Sequence, residues 1–209
     1  FLTGVTMDTN DSLSDTLFDD SPGSLTNHFL IAMPHLDDPW FHHTVTYLWK
    51  HSSQGALGIV INKPSNLRVA ELLSELDIDT HGRLGDIIFH NQRVMSGGPV
   101  EKNKGFILHD TGRDWEYTLP VTSEVSVSMS KDILADIAQG KGPENYMVAL
   151  GCAGWEAGQL EQEISRNFWL TVPALPAIIF SNDHDSKAEA AVGLLGVSLS
   201  QLSSVAGHS

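Results

Sequence analysis

Short apolar runs bounded by glycine, proline or polar turn residues recur along the chain, and their length and β-branched content predict strands. Valines that alternate with polar residues predict one or two further strands, with one exposed face, between residues 117 and 128. The other predicted strands are 28–33, 44–49 (with a short helix as the alternative), 56–61, 105–109, 146–150, 168–172 and 177–180.

Four other segments place apolar residues three or four positions apart, a spacing that predicts amphipathic helices. Because several predicted strands follow one another without a helix between them, the order excludes a simple doubly wound sheet and favours an α+β fold. The predicted helices are 69–76 with Ser65 or Asn66 as the N-cap, 131–139 with Ser130 as the N-cap, 157–167, and 186–195.

Composition divides the chain into three segments. Residues 1–24 contain five aspartates and no lysine or arginine, which predicts an acidic, poorly ordered leader. Residues 25–196 contain the predicted strands and helices and fit a single domain. Residues 197–209 are predicted to form a polar tail.

The most specific pattern lies between residues 146 and 169. A predicted strand leads into a glycine turn at 151–154, and a helix follows from about Ala157. The turn contains the single cysteine, Cys152, so no disulfide forms within the chain. A turn before a helix is a place where the pKa of a thiol can be lowered.

In the predicted helix, Gln159, Glu163 and Asn167 form a polar stripe. It lies about 100° around the helix axis from the apolar stripe of the same helix. With Trp155 these residues make the best candidate binding surface. The alternative is structural, because the stripe could supply hydrogen bonds to buried turns at 62–64 and 97–99.

This stretch resembles the signature of the YqgE/AlgH family of bacterial proteins. The residues that carry the resemblance are Gly154-Trp155, Gly158-Gln159-Leu160-Glu161, Glu163, Asn167 and Trp169. The resemblance extends from about Leu25 to Leu195. It implies a mixed, largely antiparallel sheet that bends into a partly open pseudo-barrel with helices packed outside. It also implies that the segments 62–64, 97–100 and 151–155 lie close together. Members of the family are often labelled transcriptional regulators. In the family that this chain resembles, the usual residue at the position of Cys152 looks like Tyr, which argues against a required nucleophile there.

Six further residues are candidates for a site. Asn62 and Lys63 follow a buried strand, and Lys63 is one of few cations available for an anionic group. Gly97 and Gly98 form a turn that can hold a phosphate, although the lysine of a P-loop is missing. His51 and His109 each end a predicted strand, where they serve as proton shuttles, as ligands of a weak metal site, or as hydrogen-bonded structural residues.

No motif predicts a bound metal or cofactor. His42 and His43 are adjacent, which in a strand sends the two rings to opposite faces, and no His-Glu-x-x-His or cysteine pair occurs.

The formal net charge is −14, with 12 basic and 26 acidic residues. Such a balance argues against a surface for nucleic acids or anionic membranes. No apolar run approaches the roughly 20 residues that span a bilayer, and no basic and apolar signal sequence begins the chain. The cytoplasm is therefore the expected compartment.

The sequence predicts a protein that acts by binding a protein or a small polar ligand and that influences transcription indirectly. One alternative is an enzyme that uses Glu163 with His51 or His109 as acid and base. Such an enzyme needs these groups in one pocket with shifted pKa values. The other alternative is a DNA-binding regulator, which needs a basic stripe.

Overall fold

A computed structural model describes residues 22–83 and 85–205, so the predicted leader lies almost entirely outside the described residues. Within that part of the chain, no helix has the length and apolar character needed to cross a bilayer. The strands are β1 His28–Ala32, β2 Val45–Ser52, β3 Gly55–Val60, β4 Pro64–Arg68, β5 Arg93–Ser96, β6 Val100–Asp110, β7 Thr118–Pro120, β8 Val125–Ser128, β9 Tyr146–Glu156 and β10 Trp169–Pro173. The α-helices are α1 Val69–Glu75, α2 Ile87–Asn91, α3 Lys131–Ala138, α4 Gln159–Ser165, α5 Pro176–Ile179, α6 Lys187–Gly193 and α7 Leu199–Val205, and a single 3-10 turn covers His81–Arg83.

The strands join in one ten-stranded sheet whose main path runs β10-β1-β2-β3-β9-β6-β8-β7. β5 pairs with β9 in parallel and with β4 in antiparallel orientation, and the pairings along the main path are antiparallel. The sheet curls into a half-barrel, and the helices pack against it. The predicted α+β class and the largely antiparallel pseudo-barrel are therefore confirmed.

Three clusters of buried apolar side chains hold the helices on the sheet. The largest places α5 and α6 against β1, β2 and β6, and the second places α1 and α3 against β5, β6 and β9. The third surrounds Trp155 and Trp169 and includes Phe41 and Leu160. Each large side chain that is fully buried contributes roughly 1.5–3 kcal/mol, so these clusters fix the positions of the short helices.

Strand β9 connects the two halves of the sheet, because it pairs with β3, β5 and β6. It continues without a break through residues 151–154, so the predicted glycine turn is wrong. Gly151 lies inside the strand with a φ of +77°, where the pairing with β6 is irregular. A larger residue would adopt that φ only with strain, which is why a glycine stands here.

The three segments expected to lie close together do so, and this prediction is confirmed. Ser96 N donates to Lys63 O at 2.8 Å, which joins the end of β5 to the start of β4. A Cβ on Gly98 would stand 1.9 Å from the carbonyl carbon of Cys152, so only glycine permits the two backbones to approach so closely.

The apolar run at 177–180 was predicted to be a strand, and this prediction is wrong. Most of it forms helix α5, and Pro176 occupies the first turn of that helix. Proline favours this position because its φ is already helical and its missing N–H would have no partner there.

Helix α1 begins at Val69 as predicted, but the residues just before it, 64–68, form β4. Ser65 and Asn66 are therefore not its N-cap. That position belongs to Arg68, whose backbone N–H donates to Glu71 Oε2 at 2.8 Å.

Two other segments are more ordered or more buried than their patterns predict. The segment expected to be a polar tail contains α7, and Leu199 and Leu202 of this helix pack against the largest apolar cluster. All four residues of β8 are buried, although one exposed face was predicted for this region, because β8 lies between β6 and β7 in the sheet.

Candidate functional site

Helix α4 carries a carboxylate, Glu163, that accepts three hydrogen bonds from side chains. The indole N–H groups of Trp155 and Trp169 donate to Oε2 at 2.9 and 2.7 Å, and Gln159 Nε2 donates to Oε1 at 3.0 Å. Both indoles are buried, and their rings meet edge to face with centroids 5.9 Å apart. An indole N–H can only donate and needs an acceptor when it is buried. Glu163 therefore supplies the acceptor that both buried indole N–H groups need.

The rest of the polar stripe fixes the ends of α4. Gln159 Oε1 accepts from Glu156 N at 3.0 Å, which ties the helix to the end of β9. Asn167 is exposed and has a φ of +58°, the left-handed conformation that commonly ends a helix. The bonds of the stripe thus run to β9, to β10 and within α4. The expectation that they reach the turns at 62–64 and 97–99 is wrong.

His51 is buried at the end of β2 and holds two other segments in place. Its Nδ1 accepts from Leu25 N at 2.8 Å, and its Nε2 lies 2.8 Å from Glu161 Oε1. Because Nδ1 accepts, Nε2 carries the proton and donates to Glu161. Burial raises the pKa of Glu161, but hydrogen bonds from its own backbone N–H and from His51 outweigh burial, so the pKa is lowered overall. The bonded carboxylate is that of Glu161, and not that of Glu163 as the enzyme alternative requires.

His109 is fully buried and lies far from α4. Its Nδ1 donates to Asp110 O at 2.7 Å, and its Nε2 accepts from Ser128 Oγ at 2.8 Å. Burial is the main reason why the pKa of His109 is lowered. His109 pairs with Tyr146 in β9, nine positions from Trp155, which is roughly 30 Å along a strand. It cannot serve as the partner of the α4 carboxylate.

Gly97 and Gly98 are buried where β5 meets β9. The backbone N–H of Gly97 donates to Leu150 O at 2.8 Å, and its carbonyl accepts from Val60 N at 2.8 Å. The N–H of Gly97 is therefore not available to a phosphate, and the pair serves the junction of the two strands.

Cys152 faces the core from β9 and is buried. Burial, with a smaller contribution from the carboxylate of Glu101, raises the pKa of Cys152 to about 11. The expectation of a lowered pKa at this position is wrong, because the residue lies in a strand and not before the first turn of a helix.

Asn62 and Lys63 line a cleft of about 440 Å³ between the end of β1, the loop before β2 and helices α6 and α7. We refer to it as the Lys63 cleft. Its apolar lining includes Ala32, Ala188 and Leu199. Most of its polar lining consists of His42, His43, Asn62, Lys63, His184 and Asp185.

The side chain of Lys63 reaches this cleft across the face of Trp40. Its Nζ donates to Trp40 O at 2.8 Å and lies 4.1 Å from the centroid of the Trp40 ring. An ammonium group has three donors, and Trp40 O is the acceptor that the described residues supply, which leaves two N–H groups for a ligand. Burial lowers the pKa of Lys63, although the carboxylate of Asp38 acts in the opposite direction.

Asn62 fixes the loop that forms one wall of the Lys63 cleft. Its Oδ1 accepts from Val45 N at 2.7 Å, and its Nδ2 donates to His43 O at 3.0 Å. Both bonds run to the segment that precedes and begins β2. The candidate role of Asn62 therefore includes positioning His43 as well as lining the cleft.

The cleft also contains three histidines that were not among the predicted site residues. His42 and His43 precede β2 in a turn, so their rings lie 3.7 Å apart instead of on opposite faces as predicted. His184 Nδ1 is buried and has no hydrogen-bond partner among the described residues. Burial and then the positive charge of Lys187 lower the pKa of His184, while Asp185 and Asp183 act in the opposite direction.

The predicted site residues thus fall into separate places. His51, Trp155, Gln159, Glu163 and Asn167 surround α4, Asn62 and Lys63 line the cleft, Gly97 and Gly98 form the strand junction, and His109 lies alone. In residues 22–83 and 85–205 no group of three or more His, Cys, Asp or Glu residues is arranged to hold a metal ion.

Comparison with known proteins identifies the family. The AlgH-like family model (DUF179) matches residues 29–200. The chain belongs to the AlgH-like family. A UPF0301 protein of Marinomonas sp. (strain MWYL1) is 50% identical to it over 186 residues, which cover 88% of this chain and 96% of that relative. The UPF0301 protein AlgH of Pseudomonas aeruginosa (strain PAO1) is 49% identical over 188 residues, which cover 90% and 97% of the two chains.

Two solved structures agree with the fold of this AlgH-like protein. The solution structure of AlgH from Pseudomonas aeruginosa matches with a TM-score of 0.73 and 48% identity, over 92% of this chain and all 100% of the other. The crystal structure of a Corynebacterium diphtheriae protein matches with a TM-score of 0.68, over 89% and 94% of the two chains. Its identity is 17%, so that likeness concerns the fold alone. The family expected from the Trp155–Trp169 signature is confirmed.

Proposed function

We propose that this AlgH-like protein acts by binding and not by catalysis, and that a small polar ligand occupies the Lys63 cleft. The observation that carries the proposal is a cleft of about 440 Å³ with unused donors on Lys63. Its volume lies in the roughly 300–1,000 Å³ range of small-molecule sites, and its mixture of apolar walls and a few polar groups is typical of them. We further propose that the protein works in the cytoplasm and that any effect on transcription is indirect.

The catalytic alternative has less support. Glu163 accepts from two indoles and an amide, and His51 is bonded on both ring nitrogens. His109 is buried and lies far along β9. A general acid or base needs a free position next to the reacting group, and none of these three residues offers one.

A pair of variants on helix α6 tests the proposal. Ala188 lines the cleft, whereas Ala190 is exposed on the same helix. Ala188→Met should fill the cleft, and Ala190→Met is the matched control. We expect ligand-observed NMR with a low-molecular-weight cell extract to reveal compounds that bind the native protein and Ala190→Met but not Ala188→Met. Extract compounds that bind all three folded proteins equally, or none of them, would contradict the proposal.

A further inference from the structure

The distribution of charge in the Lys63 cleft indicates which class of ligand it takes. We propose that the ligand is a small anion with a carboxylate or phosphate group, held by Lys63 and His184. This inference rests on the proposed function, since it assumes that the cleft is a binding site.

The side chains of Lys63 and His184 lie deeper in the cleft than its carboxylate. Lys63 and His184 are half-buried, whereas Asp185 is exposed at the rim. Charges at the surface are screened by water and salt much more than partly buried ones. An ammonium group therefore lies deeper in the cleft than the carboxylate that lines it, with Asp38 and Asp183 nearby, although the chain as a whole carries a net charge of −14.

Both groups also have polar atoms that an oxyanion would satisfy. Lys63 has two N–H groups left after its bond to Trp40 O. His184 Nδ1 is buried without a partner in the described part of the chain. Buried polar atoms almost always have a hydrogen-bond partner, and because His184 lines the cleft, a turn of its ring would bring this unpaired atom to a ligand. Carboxylate and phosphate oxygens accept from both lysine and histidine.

A second lysine lies next to the cleft, and its ammonium has no counter-ion among the described residues. The Lys187 ammonium is buried and donates to the carbonyls of Ile61 and Ile179 at 3.0 and 2.8 Å. Burial lowers the pKa of Lys187 to about 8, and no carboxylate offsets this shift. Its charge acts on His184, three positions earlier in the chain. A buried charge is costly unless it is compensated, so an anion in the cleft would supply the negative charge that the Lys187 ammonium lacks.

The class of ligand is tested by NMR titration of the full chain with three probes: inorganic phosphate, succinate and tetramethylammonium. We expect phosphate or succinate to shift the resonances of His184 and its neighbours, and tetramethylammonium to leave them unchanged. Comparison of the two anions then distinguishes a phosphate ligand from a carboxylate ligand. Binding of tetramethylammonium alone would overturn the inference.

Two charge changes of opposite effect sharpen this test. Lys63→Met should weaken binding of the anion by about tenfold or more, because a hydrogen bond to a charged group is lost. Asp185→Asn should strengthen it by about two- to threefold, because an exposed like charge is removed. Lys50→Met, which removes an exposed lysine of β2, is the control and should change nothing. Asp185 is exposed, so its variant will fold and keeps the test decisive even if Lys63→Met is unstable.

The outcomes separate this inference from the proposed function. If cell-extract compounds bind in a manner that depends on Ala188 but not on the charges of Lys63 and Asp185, the cleft is a binding site and the anion inference is wrong. If Asp185→Asn weakens binding, the ligand is a cation and the inference is wrong again. If neither anion binds and no extract compound depends on Ala188, both proposals are contradicted.

Discussion

The polar groups around Glu163 and those of the Lys63 cleft differ in how far the protein itself satisfies them. At Glu163 two indoles and an amide donate to one carboxylate. In the cleft, Lys63 donates to a single carbonyl, and His184 Nδ1 has no partner among the residues described. The first region is closed and holds α4 to the sheet, whereas the second is open and leaves polar atoms that the described residues do not satisfy.

This difference shows why polarity alone is a weak indicator of function. In a sequence, a binding surface and a buried hydrogen-bond network give the same pattern, a stripe of Gln, Glu and Asn beside an apolar face. The distinguishing property is whether each donor already has an acceptor within the fold, because a satisfied network stabilises a structure and an unsatisfied one requires something else.

Glu163→Ala should be the most destabilising change in either region. It leaves the buried N–H groups of Trp155 and Trp169 without an acceptor, at roughly 1–3 kcal/mol for each. We expect the free energy of unfolding in urea to fall by about 2–5 kcal/mol. Glu156→Ala, which removes an exposed carboxylate at the end of β9, is the control and should cost little.

The same measurement on the cleft should give a much smaller value. Lys63→Met removes one hydrogen bond and one contact with the Trp40 ring, which together contribute about 1 kcal/mol. Equal losses of stability for Glu163→Ala and Lys63→Met would break the distinction between a structural network and a binding cleft.

The buried ammonium of Lys187 should give the protein an unusual dependence of stability on pH. Its pKa is about 8 in the folded protein and 10.5 in the unfolded chain. Between these pH values the unfolded chain binds more protons, so the free energy of unfolding rises with pH through this window. Below pH 8 the buried ammonium lowers the free energy of unfolding by its full amount, about 3 kcal/mol. This value follows because each unit of pKa shift corresponds to about 1.4 kcal/mol.

The comparison of native protein with Lys187→Met isolates this effect. The raised pKa of Cys152, about 11, acts in the opposite direction between pH 9 and 11, because the buried thiol keeps its proton longer than the unfolded one. That contribution is common to both proteins and cancels in the difference. The difference in stability between them should change between pH 8 and 10.5 and be constant below pH 8. A difference that does not vary with pH would show that Lys187 titrates normally.

The α4 region was accessible to prediction because its residues are close in the sequence. Trp155, Gln159, Glu163 and Asn167 lie within thirteen positions, and a period of four places the last three on one stripe. What periodicity could not reveal was their partner, because Trp169 reaches Glu163 from β10 through the fold. The glycine turn was mispredicted for a similar reason, since the pairing of β9 with three other strands outweighs the local preference of Gly151 and Gly154.

The Lys63 cleft was only partly predictable. Its lining comes from residues 31, 32, 34, 42–44, 62, 63, 184, 185, 188 and 199, which are brought together by pairings that no short pattern records. Lys63 was recognised because cations are few in this chain, whereas His184 lies between two aspartates and looks like part of a polar loop. Helix α7 was missed because its serines resemble a tail, although Leu199 and Leu202 bury against the core.

A moderate effect is expected at Cys152, which belongs to neither region. Cys152→Ser places a hydroxyl among apolar neighbours and should lower the free energy of unfolding by about 1–2 kcal/mol. Binding in the Lys63 cleft should be unchanged, because Cys152 does not line it. The raised pKa predicts that the native thiol reacts slowly with a disulfide reagent at pH 8 until the protein unfolds. Rapid reaction of the folded protein, or loss of ligand binding in Cys152→Ser, would show that the residue takes part in a site.

The smallest expected effect concerns duplex DNA, to which we predict no tight binding. Specific and non-specific DNA binding both require lysines and arginines that neutralise phosphates and release counterions. The chain has 12 such residues against 26 acidic ones, and no window of five residues contains three of them. The cations of the Lys63 cleft do not form a stripe, because Asp38, Asp183 and Asp185 lie among them. Fluorescence anisotropy with random and promoter duplexes at low salt gives electrostatic binding its best chance. Saturable micromolar binding that weakens steeply with added salt would overturn the prediction. If Lys63→Met then abolished that binding while Lys50→Met did not, the cleft would have to be reassigned from a small anion to a phosphate of the DNA backbone.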